Sequence, residues 1–273
     1  MSYRFEPGRM YRMPTHFGPA TGPRMGPDGR KFRCKDHPKS TSIRISFLSG
    51  RRQLERLLPP GFSLEGEPVV TVYASYMKEI EWLAGRGYNV LGVTIPAKFS
   101  GENDQVVGPF LTVLWENLAD PIITGREELG FSKIYCELPE LSVMSDSATA
   151  RASWLGFQFL EMSVLNLKPR QAPLNPPHVD GQLHYKYMPK TGEWGLSDTQ
   201  YAVMTPTDGT NIRIQEDLVG DGAIKWNPAR WEDLPTFYQV VNTFAELEVQ
   251  EIISGNLTRS VGGKDLSDQR IIQ

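Results

Sequence analysis

Two cysteines, four histidines and no apolar run long enough to cross a bilayer narrow what this chain can be. Cys34 and Cys136 cannot build a disulfide framework, and their separation gives no zinc-type spacing. No long basic stretch occurs. With 29 Lys and Arg against 32 Asp and Glu, the net charge is −3 and the signs are mixed, so nucleic-acid or anionic-membrane binding lacks electrostatic support. There is no G-x-S-x-G elbow, no phosphate-cradling Walker loop and no H-E-x-x-H pair. The opening residues have no apolar segment of the kind a secretory signal needs. No repeat and no Gly/Ser linker divides the chain. The expectation is a soluble, cytoplasmic protein without nucleic-acid or membrane partners, without a metal site and without a bound cofactor.

The 273 residues are 40% hydrophobic and 10% aromatic, enough to bury a sizeable core. Residues 1–40 are rich in Gly, Pro, Arg and Met without a period and read as an extended N-terminal arm, either a floppy terminus or, given its aromatic and Met side chains, a segment lying across the domain. Residues 41–262 read as a single domain and 263–273 as a C-terminal tail. Ser42 to Phe47 alternates polar and apolar side chains, the pattern of a half-buried strand. Further strands are predicted at Val69–Ser75, Val90–Phe99, Phe110–Trp115, Ile134–Leu138, Leu183–Met188, Tyr201–Met204, Asn211–Ile214 and Val249–Ile253. The run Trp154–Leu165 suits one long strand buried on both faces. Helices are few. Gln53–Leu58 is stopped by Pro59-Pro60. Pro121–Leu129 has Pro near its start and Gly130 past its end. Leu234–Leu247 has apolar residues at helical spacing, with Asp233 as N-cap. The fold class is therefore mainly β (α+β), an antiparallel closed β-cone or barrel with a few peripheral helices.

His178 and His184, six residues apart on one strand, would lie roughly 20 Å from each other if fully extended, too far to share a metal without a turn at Gly181. Lys133 is more informative. It follows a Gly-aromatic turn and enters the apolar strand Ile134-Tyr135-Cys136. Lysine is seldom buried unpaired, because desolvating an ammonium is costly unless its pKa falls. The plainer alternative is a lysine that extends past the strand end to water.

Gly125-Arg126-Glu127, followed by Phe131 and Lys133, resembles the acetoacetate decarboxylase motif G-R-E-x-x-x-[FY]-P-K-K. Glu67-Pro68-Val69-Val70 is similar to that family's E-P-L-V strand. Ile95-Pro96-Ala97-Lys98-Phe99 is similar to its I-P-V-x-[FY] segment, and Asp233-Leu234-Pro235 to the D-L-P that opens its late helix. The ordered set spans about residues 40–255. The resemblance implies a closed β-cone, Lys133 as a Schiff-base nucleophile and assembly into homo-oligomers. Free lysine titrates near about 10.4, so about one in a thousand or fewer is neutral at pH 7. Activation of such an amine by desolvation or a neighbouring cation is known from acetoacetate decarboxylase itself and is carried here by the resemblance.

The chain also departs from the pattern. Ile134 replaces the family's second lysine and Ser132 its proline. Tyr73 and Val90 stand where two family glutamates fall, and a substrate-side arginine aligns near Ser40. Replacement groups are available. Alternation along residues 110–117 places Glu116 on the face of Phe110, Thr112 and Leu114, and Trp115 on that of Leu111 and Val113, so that either face is a candidate cavity wall. Glu116 is a candidate general acid/base if enclosed. Tyr73 and Tyr88 are candidate donors to an enolate or aldol hydroxyl, Arg126 a candidate carboxylate ligand, and His16 a candidate if the arm folds over the cavity mouth. The expected partner is a small keto acid or ketone, held through a covalent lysine iminium. A Schiff-base lyase with aldolase or dehydratase chemistry ranks first. Decarboxylation of acetoacetate or another β-keto acid, and non-catalytic binding of a small molecule in the same cavity, stay open.

Overall fold

The computed structural model describes residues 5–7, 11–15, 25–26, 28–171 and 178–273. The chain forms β1 (Lys39–Leu48), α1 (Arg51–Glu55), β2 (Phe62–Leu64), β3 (Val69–Lys78), β4 (Tyr88–Ser100) and β5 (Gln105–Glu116). After α2 (Ala119–Thr124) come β6 (Lys133–Tyr135), β7 (Ser142–Val143), β8 (Ala148–Trp154) and β9 (Phe157–Pro169). The remainder is β10 (Gly181–Pro189), β11 (Ser197–Pro206), β12 (Arg213–Trp226), α3 (Tyr238–Ala245), β13 (Glu251–Val261) and β14 (Arg270–Ile272). All fourteen strands join one sheet whose main path runs β14-β11-β10-β5-β4-β3-β1-β13-β12-β9-β8-β7, with β2 on β4 and β6 on β5. Pairing is antiparallel except where β5 meets β10 and β6.

The expected closure is not made by hydrogen bonds, because this path has two ends, β14 and β7. The sheet nevertheless curls round one core. Trp115 on β5 packs 5.5 Å (ring centroids) from Phe159 on β9, six strands away along the path. Ile43, Ile45, Val72, Leu91, Val93 and Met162 fill the same apolar interior. Among the described residues no helix is long and apolar enough to cross a membrane.

Several predicted elements change on folding. Trp154–Leu165 is not one strand: Leu155 and Gly156, both at positive φ (44° and 87°), form a two-residue hairpin turn between β8 and β9. The late helix begins at Tyr238 rather than Leu234, because Asp233 accepts from the Arg230 backbone N–H and guanidinium and caps nothing. Lys264, Asp265 and Leu266, just past β13, line a cavity, and β14 pairs with β11.

Candidate active site

Lys133 and Glu116 meet because β5 and β6 run side by side. β5 ends at Glu116, and the chain turns through α2 and one wider π-type turn, Gly125–Leu129. Gly130 then adopts φ 78°, the left-handed stop expected of glycine. The returning β6 pairs in parallel with β5, Leu114 opposite Lys133. Glu116, two residues along from Leu114, shares its face, so the lysine amine reaches it diagonally. Nζ lies 2.8 Å from Glu116 Oε1, and both residues are buried, Glu116 completely. The two charged atoms are close without being aligned as a hydrogen bond, and no other described residue donates to either Glu116 oxygen. Nζ also donates to the Pro121 carbonyl at 3.1 Å.

The surroundings hold this amine in place. A Cβ at Gly125 would overlap Lys133 Cδ and Cε, so only glycine fits against the stem. Arg126 Nη1 donates to the Lys133 carbonyl at 2.9 Å. Phe131 sits with its ring centroid 5.5 Å from Nζ, and His184 stacks on that ring at 4.1 Å. The His184 Nε2 lies 3.0 Å from the Leu129 carbonyl, which only an N–H at Nε2 can satisfy. Burial pushes His184 down to about 4, so it is neutral at pH 7. Burial likewise pushes the Glu116 carboxyl upward, opposed by the lysine charge beside it.

Tyr73 lies against Gly92, where a Cβ would overlap the phenol. Its hydroxyl end is enclosed although the residue as a whole is half-buried, and burial pushes it up to about 12. The Arg44 guanidinium, 6.0 Å from the ring, and a hydrogen bond with Gln182 offset part of this, while the charge of Glu116 adds to it. The phenol therefore stays protonated at neutral pH. In front of Lys133 lies a cavity of about 270 Å³. Thr124, Gly125 and Leu129 are beside the lysine, with Tyr88, Trp82 and Met77 as an apolar wall. Of the arm's described residues, Phe32, Cys34, His37 and Pro38 line the same cavity and Arg12 donates to Thr124 Oγ1.

The structure separates the sequence candidates. Lys133, Glu116, Tyr73 and Tyr88 belong to this region. Trp115 does not: it points the other way, into the core, with Phe159, Trp226 and Phe244 around it. Arg126 is turned from the cavity and serves the Lys133 backbone instead. His16 lies outside the described residues. The face assignment on β5 needs correction as well. Val93 pairs with Val113 and Thr94 with Leu111, leaving Thr112 as an extra residue in a β-bulge. Alternation reverses across it, so Leu111 packs with Leu114 and Val90 while Phe110 joins the main core. Val90, where a family glutamate was missed, is the ladder partner of Glu116. A carboxylate is thus present one strand over from the position of the family glutamate. His184 was not foreseen as a neighbour of Lys133, because nothing in local spacing announces a contact across 51 residues. Among the described residues no group of three or more His, Cys, Asp or Glu is placed to hold a metal.

The family model for acetoacetate decarboxylase matches residues 12–262. No curated protein matches the chain. Among solved structures, an acetoacetate decarboxylase-like enzyme from Sphingomonas wittichii RW1 is 14% identical with a TM-score of 0.64, covering 91% of this chain and 98% of that one. The enduracididine biosynthesis enzyme MppR, complexed with the condensation product of pyruvate and imidazole 4-carboxaldehyde, is 15% identical with a TM-score of 0.63, covering 97% of both chains. Acetoacetate decarboxylase from Legionella pneumophila subsp. pneumophila str. Philadelphia 1 is 17% identical with a TM-score of 0.62, covering 89% and 91%. At these identities the likeness is one of fold.

Proposed function

Because this chain belongs to the acetoacetate decarboxylase family, we propose that Lys133 attacks the carbonyl of a small keto acid or ketone and holds it as an iminium, with no separate cofactor. The observation that carries this reading is the buried Lys133–Glu116 pair at the cavity wall, 2.8 Å apart. Burial raises the carboxyl pKa of Glu116, so transfer of a proton from the ammonium to this carboxylate costs less than it would in water. The neutral amine adds to the carbonyl carbon. Glu116, now protonated, returns its proton to the departing hydroxyl, which leaves as water, and the iminium forms.

The iminium then accepts an electron pair from the substrate. If Glu116 removes a proton from the neighbouring carbon, the resulting enamine adds to the carbonyl of an aldehyde. Tyr73, still protonated, is suited to donate to the new alkoxide. Loss of that hydroxyl as water gives an unsaturated iminium, and hydrolysis restores Lys133. If a C–CO₂ bond breaks instead, the same electron sink supports decarboxylation. We rank aldol and dehydration chemistry above decarboxylation because Tyr73 and Val90 stand where the family pattern has its two glutamates, and Glu116 is a single carboxylate in their place. That MppR is described with a pyruvate condensation product supports the same ranking.

Borohydride reduction in the presence of pyruvate, and separately acetoacetate, followed by peptide mass spectrometry, tests the nucleophile. The expected result is a reduced adduct on the peptide containing Lys133, absent from Lys133→Arg. Unmodified Lys133 with every keto acid tried would sink the proposal and leave a non-catalytic binder as the better reading.

A further inference from the structure

The far side of the Lys133 strand carries a second concavity. Ser132 and Ile134 point away from Lys133, as strand alternation requires, and help line a groove of about 400 Å³. Its walls are mostly apolar, with Val113, Met188, Phe237, Val240 and Phe244 among them. Two cations also line it, Arg126 and Lys186. Lys186 is 8% exposed, and its Nζ donates to the Glu127 backbone carbonyl at 2.6 Å, with the Tyr201 ring centroid 5.8 Å away. Arg126 gives Nη1 to the Lys133 carbonyl. Among the described residues neither cation has a carboxylate partner. A buried ammonium compensated only by a carbonyl dipole and a ring face is an incomplete arrangement, and an anion completes it.

We propose that this groove is a second binding site, separate from the Lys133 cavity, for an amphipathic monoanion: a carboxylate on an apolar chain or ring. The carboxylate meets Lys186 and the free edge of Arg126, and the apolar part covers Phe237, Val240 and Phe244 beneath α3. Charge selects the ligand's head and the apolar wall selects its tail, so neither inorganic anions nor neutral alcohols satisfy the groove alone. The inference stands whether or not Lys133 forms a Schiff base.

Titration calorimetry with octanoate on the full chain tests it, with octanol as the uncharged control. One saturable site for octanoate is expected, with octanol at least tenfold weaker. Lys186→Met is expected to weaken octanoate at least tenfold, Lys186→Arg to retain it, and Lys133→Met to leave it unchanged. Should Lys186→Met fail to fold, Val240→Trp decides, because filling the groove should abolish binding. Octanoate affinity unchanged in Lys186→Met or in Val240→Trp, affinity lost in Lys133→Met, or no saturable binding at all, including the case in which a second copy of the chain covers the groove, overturns the proposal.

Discussion

Glu116 and Lys133 form a buried pair in which burial and the neighbouring ammonium act in opposite directions on the carboxyl. Burial makes the carboxylate more basic, and the neighbouring ammonium makes it less so. For iminium chemistry the amine must be neutral and the carboxyl must carry the proton at some steps, so a tightly spaced pair serves better than two independent groups. Replacing Glu116 by Gln keeps the shape and removes the proton acceptor. Schiff-base formation, followed by borohydride trapping against time, is expected to slow by about 10²–10⁴-fold. The pH profile should change too, with the variant requiring higher pH because the solvent must now take the lysine proton. An unchanged trapping rate would exclude Glu116 as the base.

At the scale of elements, the site depends on a short strand held in register. β6 has only three residues, Lys133–Tyr135, and lies against one edge of β5. Arg126 fastens it by donating to the Lys133 carbonyl, while the Gly125 backbone presses against the lysine stem. A sequence reading assigns Arg126 to substrate because arginine binds carboxylates well. Its fold position, one turn before the lysine and on the outer face, gives the guanidinium a backbone carbonyl instead. Arg126→Met leaves that carbonyl without its donor. The expected cost is about 1–3 kcal/mol in denaturant unfolding, with faster hydrogen exchange at residues 131–135. Stability and exchange indistinguishable from the parent would show that the bond holds nothing in place.

The whole molecule has an acid-sensitive point in His184. It is fully buried on β10, stacked on Phe131, and pushed down from 6.5 to about 4. Between about pH 6.5 and 4 the unfolded chain takes up a proton there that the folded chain does not. Stability is therefore fully present above this window and falls as pH drops through it, by up to on the order of 3 kcal/mol from this group. His184→Phe keeps a ring for stacking and removes the titration. Thermal unfolding across pH 4–7 should show a smaller acid loss in this variant than in the parent, and parallel curves would mean that other groups govern the acid limb.

Sequence alone determined the strand-rich class and the family, and it singled out Lys133. Alternation in β1 and β4, the stop at Gly130 and the ordered motifs are local signals, and local signals are written in spacing. It did not determine the curl of the sheet, the bulge at Thr112 that reverses faces on β5, or the hairpin inside Trp154–Leu165. Period-2 reasoning carried the faces of Phe110 and Leu111 straight through a bulge, and Trp115 and Arg126 were offered to the substrate because residue type does not state which surface a side chain reaches. Lys133 was legible as an odd buried charge beside a Gly-aromatic turn. Only the tertiary structure placed Glu116 at 2.8 Å, set Phe131 and His184 beside the amine and brought Phe32, Cys34, His37 and Pro38 to the cavity wall. Those contacts join residues far apart in sequence, and their geometry follows from strand register and core packing.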